Sequence, residues 1–159
     1  MFKIKEVIEI NNYKNEIRME ITQDLVDEYT KEYFRKHPNR KKKPIDKPVP
    51  PNLNRFMVMK RPQANDVKQK WKDFAIWIIN KYGYVDKLIE SCKVKMIVHR
   101  PTKRLCDIDN FSTSCKFLFD GFSQAGLWVD DNYSIVHEIS TSVIYNKGIE
   151  QLDIIINYN

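Results

Sequence analysis

The sequence predicts an α+β fold in which helices pack on a mixed β-sheet. Three observations point there. Residues 93–100 alternate, with Val94, Met96 and Val98 on one side; two segments, beginning near Asn65 and Asp109, carry apolar residues at helical spacing; two more apolar runs, over 133–145 and 152–157, close the chain. From Pro50 onward the expected order is strand, helix, strand, helix, strand, strand, or β-α-β-α-β-β, preceded by a ββα extension.

Taken in order, residues 2–10 place Phe2, Ile4, Ile8 and Ile10 on one side of an alternating pattern, which suits a half-buried strand. Asn11-Asn12-Tyr13-Lys14-Asn15 is turn-like, and Ile17, Met19 and Ile21 alternate again, so a hairpin is expected. Thr22 can cap a helix in which Leu25, Tyr29 and Tyr33 recur every fourth residue, with Val26 and Phe34 widening the face. The unit ends in His37-Pro38-Asn39-Arg40-Lys41-Lys42-Lys43-Pro44, then Pro48, Pro50 and Pro51, a density of proline and charge that marks a linker or exposed loop. The basic run 40–43 reads either as a solvated charge run or as an arm along phosphates. Residues 1–45 are therefore an N-terminal extension and 46–159 the main domain.

In the main domain, residues 52–59 read as a strand or extended loop. The helix from about Asn65 has Val67, Trp71, Phe74, Ile78 and Tyr82 on one face, is apolar on a second side through Ala75, Trp77 and Ile79, and stops at Gly83. After the strand at 93–100 comes the basic loop Arg100-Pro101-Thr102-Lys103-Arg104. Asp109 can cap the next helix, whose core face is Phe111, Cys115, Leu118, Phe119 and Phe122 and whose end is Gly126. The last two strands are joined by a turn at Asn146-Lys147-Gly148.

Composition bounds the function. The 27 Lys+Arg against 21 Asp+Glu leave a net charge of +6, which favours an anionic partner. Cys92, Cys106 and Cys115 are odd in number and spaced by fourteen and nine, outside any zinc pattern, so they read as reduced thiols that mostly fill core space. No run approaches the roughly 20 apolar residues of a membrane span, and 1–6 lacks a hydrophobic signal core, so the expectation is a soluble, cytoplasmic protein with no membrane partner.

The chemistry-bearing residues flank one helix. Asp107 and Asp109, two apart, point the same way in an extended segment, and like charges held that close are relieved by a divalent cation that takes oxygen ligands. A third acid, Asp130 or Asp131, would complete such a site, with Arg100, Lys103 and Arg104 as counter-charge for a phosphodiester. Against this, Asp109 can serve only as a cap and Asp130-Asp131-Asn132 only as a turn. His99 and His137 sit beside apolar neighbours without a third ligand at metal spacing, which points to structural or surface roles. With four glycines there is no phosphate-cradling loop.

In order, Arg104-Leu105-Cys106-Asp107-Ile108-Asp109-Asn110, Lys116-Phe117-Leu118-Phe119-Asp120-Gly121-Phe122 and Ala125-Gly126-Leu127-Trp128-Val129-Asp130-Asp131 resemble the RusA family of Holliday-junction resolvases, common in phages and prophages. Pro50-Pro51-Asn52-Leu53-Asn54-Arg55-Phe56 is similar to the family's N-terminal segment, and Asn146-Lys147-Gly148 to its last hairpin, so the likeness spans about 49–157.

The resemblance implies a RusA-like nuclease domain over 46–159: a homodimeric, Mg²⁺-dependent endonuclease, with Mn²⁺ as a substitute metal, that binds four-way DNA junctions and nicks two strands symmetrically in recombination and repair. Two sites on a two-fold axis suit a two-fold substrate. Asp107, Asp109 and Asp131 would be the metal-binding acids, with Asp130 the lesser member of its pair. Arg100, Lys103, Arg104, Asn54, Arg55 and Lys147 would contact DNA. The family places a Lys four residues after the second Asp, where this chain has Thr113; Lys116, seven after Asp109, is the nearest candidate and implies a three-residue insertion. Seven residues is nearly two helical turns, so Lys116 would keep Asp109's face but lie roughly 10 Å along the axis. Two other classes stay open: a non-catalytic branched-DNA or nucleic-acid-binding protein of the same fold, and an interaction protein whose acids are caps and turns.

Overall fold

The alternation of Ile17, Met19 and Ile21 does make a strand, β1 (Asn15–Ile21), with those three residues buried and Glu16, Arg18 and Glu20 exposed. The structure, a computed structural model, describes residues 12–159; the strand expected over 2–10 lies outside them. Thr22 caps α1 (Gln23–Lys36) as its sequence suggests, its Oγ1 accepting the Leu25 N–H at 3.2 Å. Tyr29 on the buried face of α1 packs its ring 5.0 Å from Phe74 and 5.1 Å from Trp77.

Residues 52–59 are not a strand. They form a short helix, α2 (Leu53–Met57), because the Asn52 side chain accepts the Arg55 N–H at 2.9 Å and so starts a helical turn. No sheet edge lies alongside to reward the β-prone Phe56 and Val58, and Val58 is left 83% exposed. The helix expected from Asn65 begins earlier: α3 (Arg61–Tyr82) accepts Pro62 in its first turn, where a missing N–H costs nothing. Trp71, Phe74, Ala75, Ile78 and Ile79 are buried, whereas Tyr82 slips off the face. Trp77 is half-buried and donates its indole N–H to Glu32 on α1 at 2.7 Å, and Lys81 pairs with Glu28, so α3 is buttressed by α1 as well as by the sheet.

β2 (Cys92–Arg100) buries Cys92, Val94, Met96 and Val98. It is followed by α4 (Asp109–Ser112) and α5 (Ser114–Gln124), then β3 (Val136–Tyr145) and β4 (Gln151–Tyr158). The sheet order is β1-β4-β2-β3, with β4 antiparallel to both β1 and β2 and with β3 parallel to β2. The expected hairpin between the last two strands is therefore corrected: β2 lies between them. Asn146-Lys147-Gly148 passes over the end of β2 instead, Asn146 N–H donating to Arg100 O at 2.8 Å and Gly148 N–H to Pro101 O at 3.0 Å. The physical reason is in β4 itself, where Leu152 to Ile156 are all buried; a strand covered on both faces belongs inside the sheet.

The helix expected from Asp109 to Ala125 is two pieces joined at Thr113, which keeps right-handed helical dihedrals. α5 lies directly on α3 where Gly121 permits it: a Cβ there would sit 2.5 Å from Ala75 Cβ and 2.6 Å from the Lys72 carbonyl oxygen. That contact holds α5 against α3, and so sets where the acid-bearing turns at its two ends can lie. Among the described residues, no helix is long and apolar enough to cross a membrane.

Candidate functional site

The turn after α5 is built from within. Gly126 takes φ +76°, a left-handed conformation, and a Cβ there would lie 2.6 Å from Asp86 Oδ1. The chain then runs beside residues 86–89, Leu88 N–H donating to Gly126 O and Ile89 N–H to Leu127 O. Trp128 is fully buried, edge-on to Phe119 and Phe122, and its indole N–H donates to Ser123 Oγ at 2.7 Å. Next, Asp130 Oδ1 accepts the Asp131 N–H at 2.8 Å and Oδ2 accepts the Asn132 amide at 2.7 Å, while Asn132 Oδ1 accepts both the N–H and the hydroxyl of Ser134. These bonds from Asn132 and from the Asp131 backbone hold the Asp130 carboxyl below its ordinary value.

Asp131 is the opposite case. The residue is exposed, yet partial loss of water around its carboxyl, then the hydrogen bond and charge of Asp130 and the charge of Asp120, hold it above the ordinary value. Burial pushes the Cys115 thiol up, and the Asp131 charge adds to that. The Asp131 charge is thus felt at Cys115, at the start of α5. Cys115 Sγ donates to Ser112 O at 2.8 Å, and Ser112 Oγ to Asp109 O at 2.7 Å, which links this corner to the first acidic turn.

That first turn is exposed from Thr102 to Asp109. Its bonds are backbone ones, Asn110 N–H to Asp107 O and Phe111 N–H to Ile108 O. Asp109 is not the cap expected of it. Ile108 occupies the cap position, and Asp109 is the first helical residue. Among the described residues, no three His, Cys, Asp or Glu side chains are gathered to hold a metal ion, so Asp107 and Asp109 are not assembled with Asp131. The crowding of Asp131 by Asp130 and Asp120 is chemistry a divalent cation would relieve; the geometry of a three-carboxylate site is absent from this arrangement.

Thr113 and Lys116, the two rivals for the basic position, line one cavity of about 250 Å³ together with Leu53, Phe56, Lys68, Phe117 and Asp120. Thr113 Oγ1 is buried there without a hydrogen-bond partner, and Lys116 is exposed.

The basic residues gather at the end of β2. Arg55 and Arg100 line a second cavity of about 240 Å³ with Asn52, Thr102 and His99. Arg100 donates to Arg104 O at 3.0 Å and lies over the Phe111 ring, and Lys103 lies over Tyr145. Lys147 stands exposed on the turn bonded to Arg100 and Pro101, and Asn54 is exposed on α2. His99 serves this turn structurally: its Nε2 donates to Asp153 Oδ2 at 2.7 Å and its Nδ1 accepts from the Asn146 amide at 3.2 Å, in the tautomer that satisfies both. Gln151 donates to the other Asp153 oxygen at 2.6 Å. His137, by contrast, is exposed and bonds Ser91.

Two residues were given no role by the sequence reading: Asp120, present there only within a family motif, and Asp153. Asp153 left a signal, a lone acid inside an apolar run, which needs a buried partner. The thiols of Cys92 and Cys115 are free and buried, and Cys106 is free and exposed. Compared with models of known families the chain matches none, and no curated protein matches it either.

Proposed function

We propose that this protein is a structure-selective DNA endonuclease, similar in kind to the RusA resolvases, that acts as a homodimer on four-way junctions in recombination and repair. One observation carries the reading. The chain turns back at Gly126 after α5, and the Asp131 charge is felt at Cys115, whose thiol is joined through Ser112 to the Asp109 carbonyl. The cofactor of this reading is Mg²⁺, with Mn²⁺ as substitute, and its ligands would be Asp107, Asp109 and Asp131. Bringing the first two up to the third is the rearrangement the reading requires. Arg55, Arg100, Lys103, Arg104 and Lys147, at the end of β2, would hold phosphates, so binding should weaken steeply with salt.

The rival is a branched-DNA-binding protein of the same fold that does not cut, which the basic residues gathered at the end of β2 would serve equally. Purified protein, incubated with a synthetic four-way junction and Mg²⁺ beside an Asp109→Asn variant, separates the two. The nuclease reading expects paired nicks by the parent and at least a hundredfold loss in the variant. Binding without cutting promotes the rival, neither binding nor cutting removes both, and equal cutting by the variant refutes the assignment of Asp109.

A further inference from the structure

Among the described residues, the two outer strands of the sheet are protected unequally. β1 carries Glu16, Arg18 and Glu20 at its exposed positions, the usual device that keeps an edge from pairing with another chain. β3 is ten residues long, has Glu138 as its one carboxylate and no Lys, Arg or Pro, and its far edge has no strand partner among the described residues.

The core also runs off the sheet at β3. Ile139, Thr141 and Val143 are in register with Val94, Met96 and Val98, which are 0–1% exposed, yet Ile139 is 45% exposed. The sequence of this stretch, Ile139-Ser140-Thr141-Ser142-Val143, reads nearly the same in both directions about Thr141.

We infer that the far edge of β3 is the self-association surface of this protein, pairing antiparallel with β3 of a second copy about a two-fold axis at Thr141. That register sets Ile139 against the partner's Val143, Thr141 against the partner's Thr141 and Ser140 against the partner's Ser142. On the core face an Ile–Val pair flanks the Thr141 pair on each side, and serines meet on the other, cross-strand matches that stabilise a sheet. A two-fold contact needs such a self-complementary patch. Shifting the pairing by one residue would set Ile139 against the partner's Ser142 and turn the partner's core face to the wrong side. Glu138 falls opposite the partner's Ile144, at the solvated periphery. The product is one eight-stranded sheet.

The inference does not rest on the nuclease reading, and its test contains neither DNA nor metal. Light scattering at micromolar concentration should give about twice the 19.0 kDa chain mass, and Thr141→Lys, which sets two ammonium groups across the axis, should give the single-chain mass with an unchanged circular-dichroism spectrum. Paired residues across antiparallel strands lie within disulfide reach. In a Cys106→Ser background, which removes the exposed thiol, oxidised Thr141→Cys should run as a cross-linked dimer, whereas Glu20→Cys on β1 should not. A monomeric parent, a Thr141→Lys variant that stays dimeric, or equal cross-linking from both edges overturns it. Should Thr141→Lys fail to fold, the cross-linking comparison alone decides.

Discussion

Asp107 and Asp130 each head a short polar turn, and the two turns are held in different ways. The second is fixed by a buried indole, a left-handed glycine and side-chain bonds from Asp130 and Asn132. The first is an exposed stretch closed by backbone bonds, with Leu105 95% exposed. An acid on a turn fixed by side-chain bonds beside a pair on an exposed, backbone-closed turn suits a site in which ligand binding organises one half against a prebuilt other half. Three substitutions in the second turn test that difference.

Trp128→Ala should have the largest effect. Removing a fully buried indole typically costs about 3–5 kcal/mol, and here Ser123 Oγ also loses its donor. Urea denaturation followed by circular dichroism measures it. A loss below about 1 kcal/mol would mean that the second turn does not hang on its indole, and the contrast with the first turn would fall.

Asp130→Ala acts more locally. It leaves the Asp131 N–H and the Asn132 amide without their acceptor, so amide exchange at Asp131 should quicken while β2 and β4 keep their protection. Because the Asp130 carboxyl is held below its ordinary value, its support of the turn is present above pH 3.8 and is lost as pH falls through the lowered value. Exchange at Asp131 in the parent should therefore approach that of the variant in acid. Unchanged exchange in the variant would make Asp130 as dispensable as the carboxylates of the first turn.

Where the sequence carried a full periodic face, it was sufficient to place the element: β2, α3 and the core face of α5 follow directly from residues such as Met96, Phe74 and Leu118. It failed where a short apolar run had no period to read. Over 52–59, one Asn52 side-chain bond outweighed β-propensity, and between Tyr145 and Gln151 a turn compatible with a hairpin became a bridge over β2. The candidate site divides similarly. The turn character of Asp130-Asp131-Asn132 is written in its residues, but the reach of Asp120 to Asp131 depends on the reversal at Gly126 and on the α3–α5 contact at Gly121, which no local pattern encodes. Thr113 joins α4 to α5, and its side chain and that of Lys116 line the same cavity, so both candidates for the basic position stay open.

Asp131→Asn should have the smallest effect and the opposite sign. The Asp131 carboxyl is held above its ordinary value by desolvation and by Asp130 and Asp120, so its ionised form is less favourable folded than unfolded. Below pH 3.8 the group is protonated in both states and costs nothing; as pH rises to the raised value the cost grows, and above it the cost is constant. The variant should therefore unfold at a higher urea concentration than the parent at pH 7, with the gap closing near pH 3. Asp109→Asn, on the exposed turn, should leave the midpoint unmoved at pH 7. If Mg²⁺ is drawn to the crowded acid, adding it should stabilise the parent and narrow its gap to Asp131→Asn. A gap that ignores Mg²⁺ would leave Asp131 as a strained turn carboxylate, and the two acidic turns would then differ in construction without sharing a ligand.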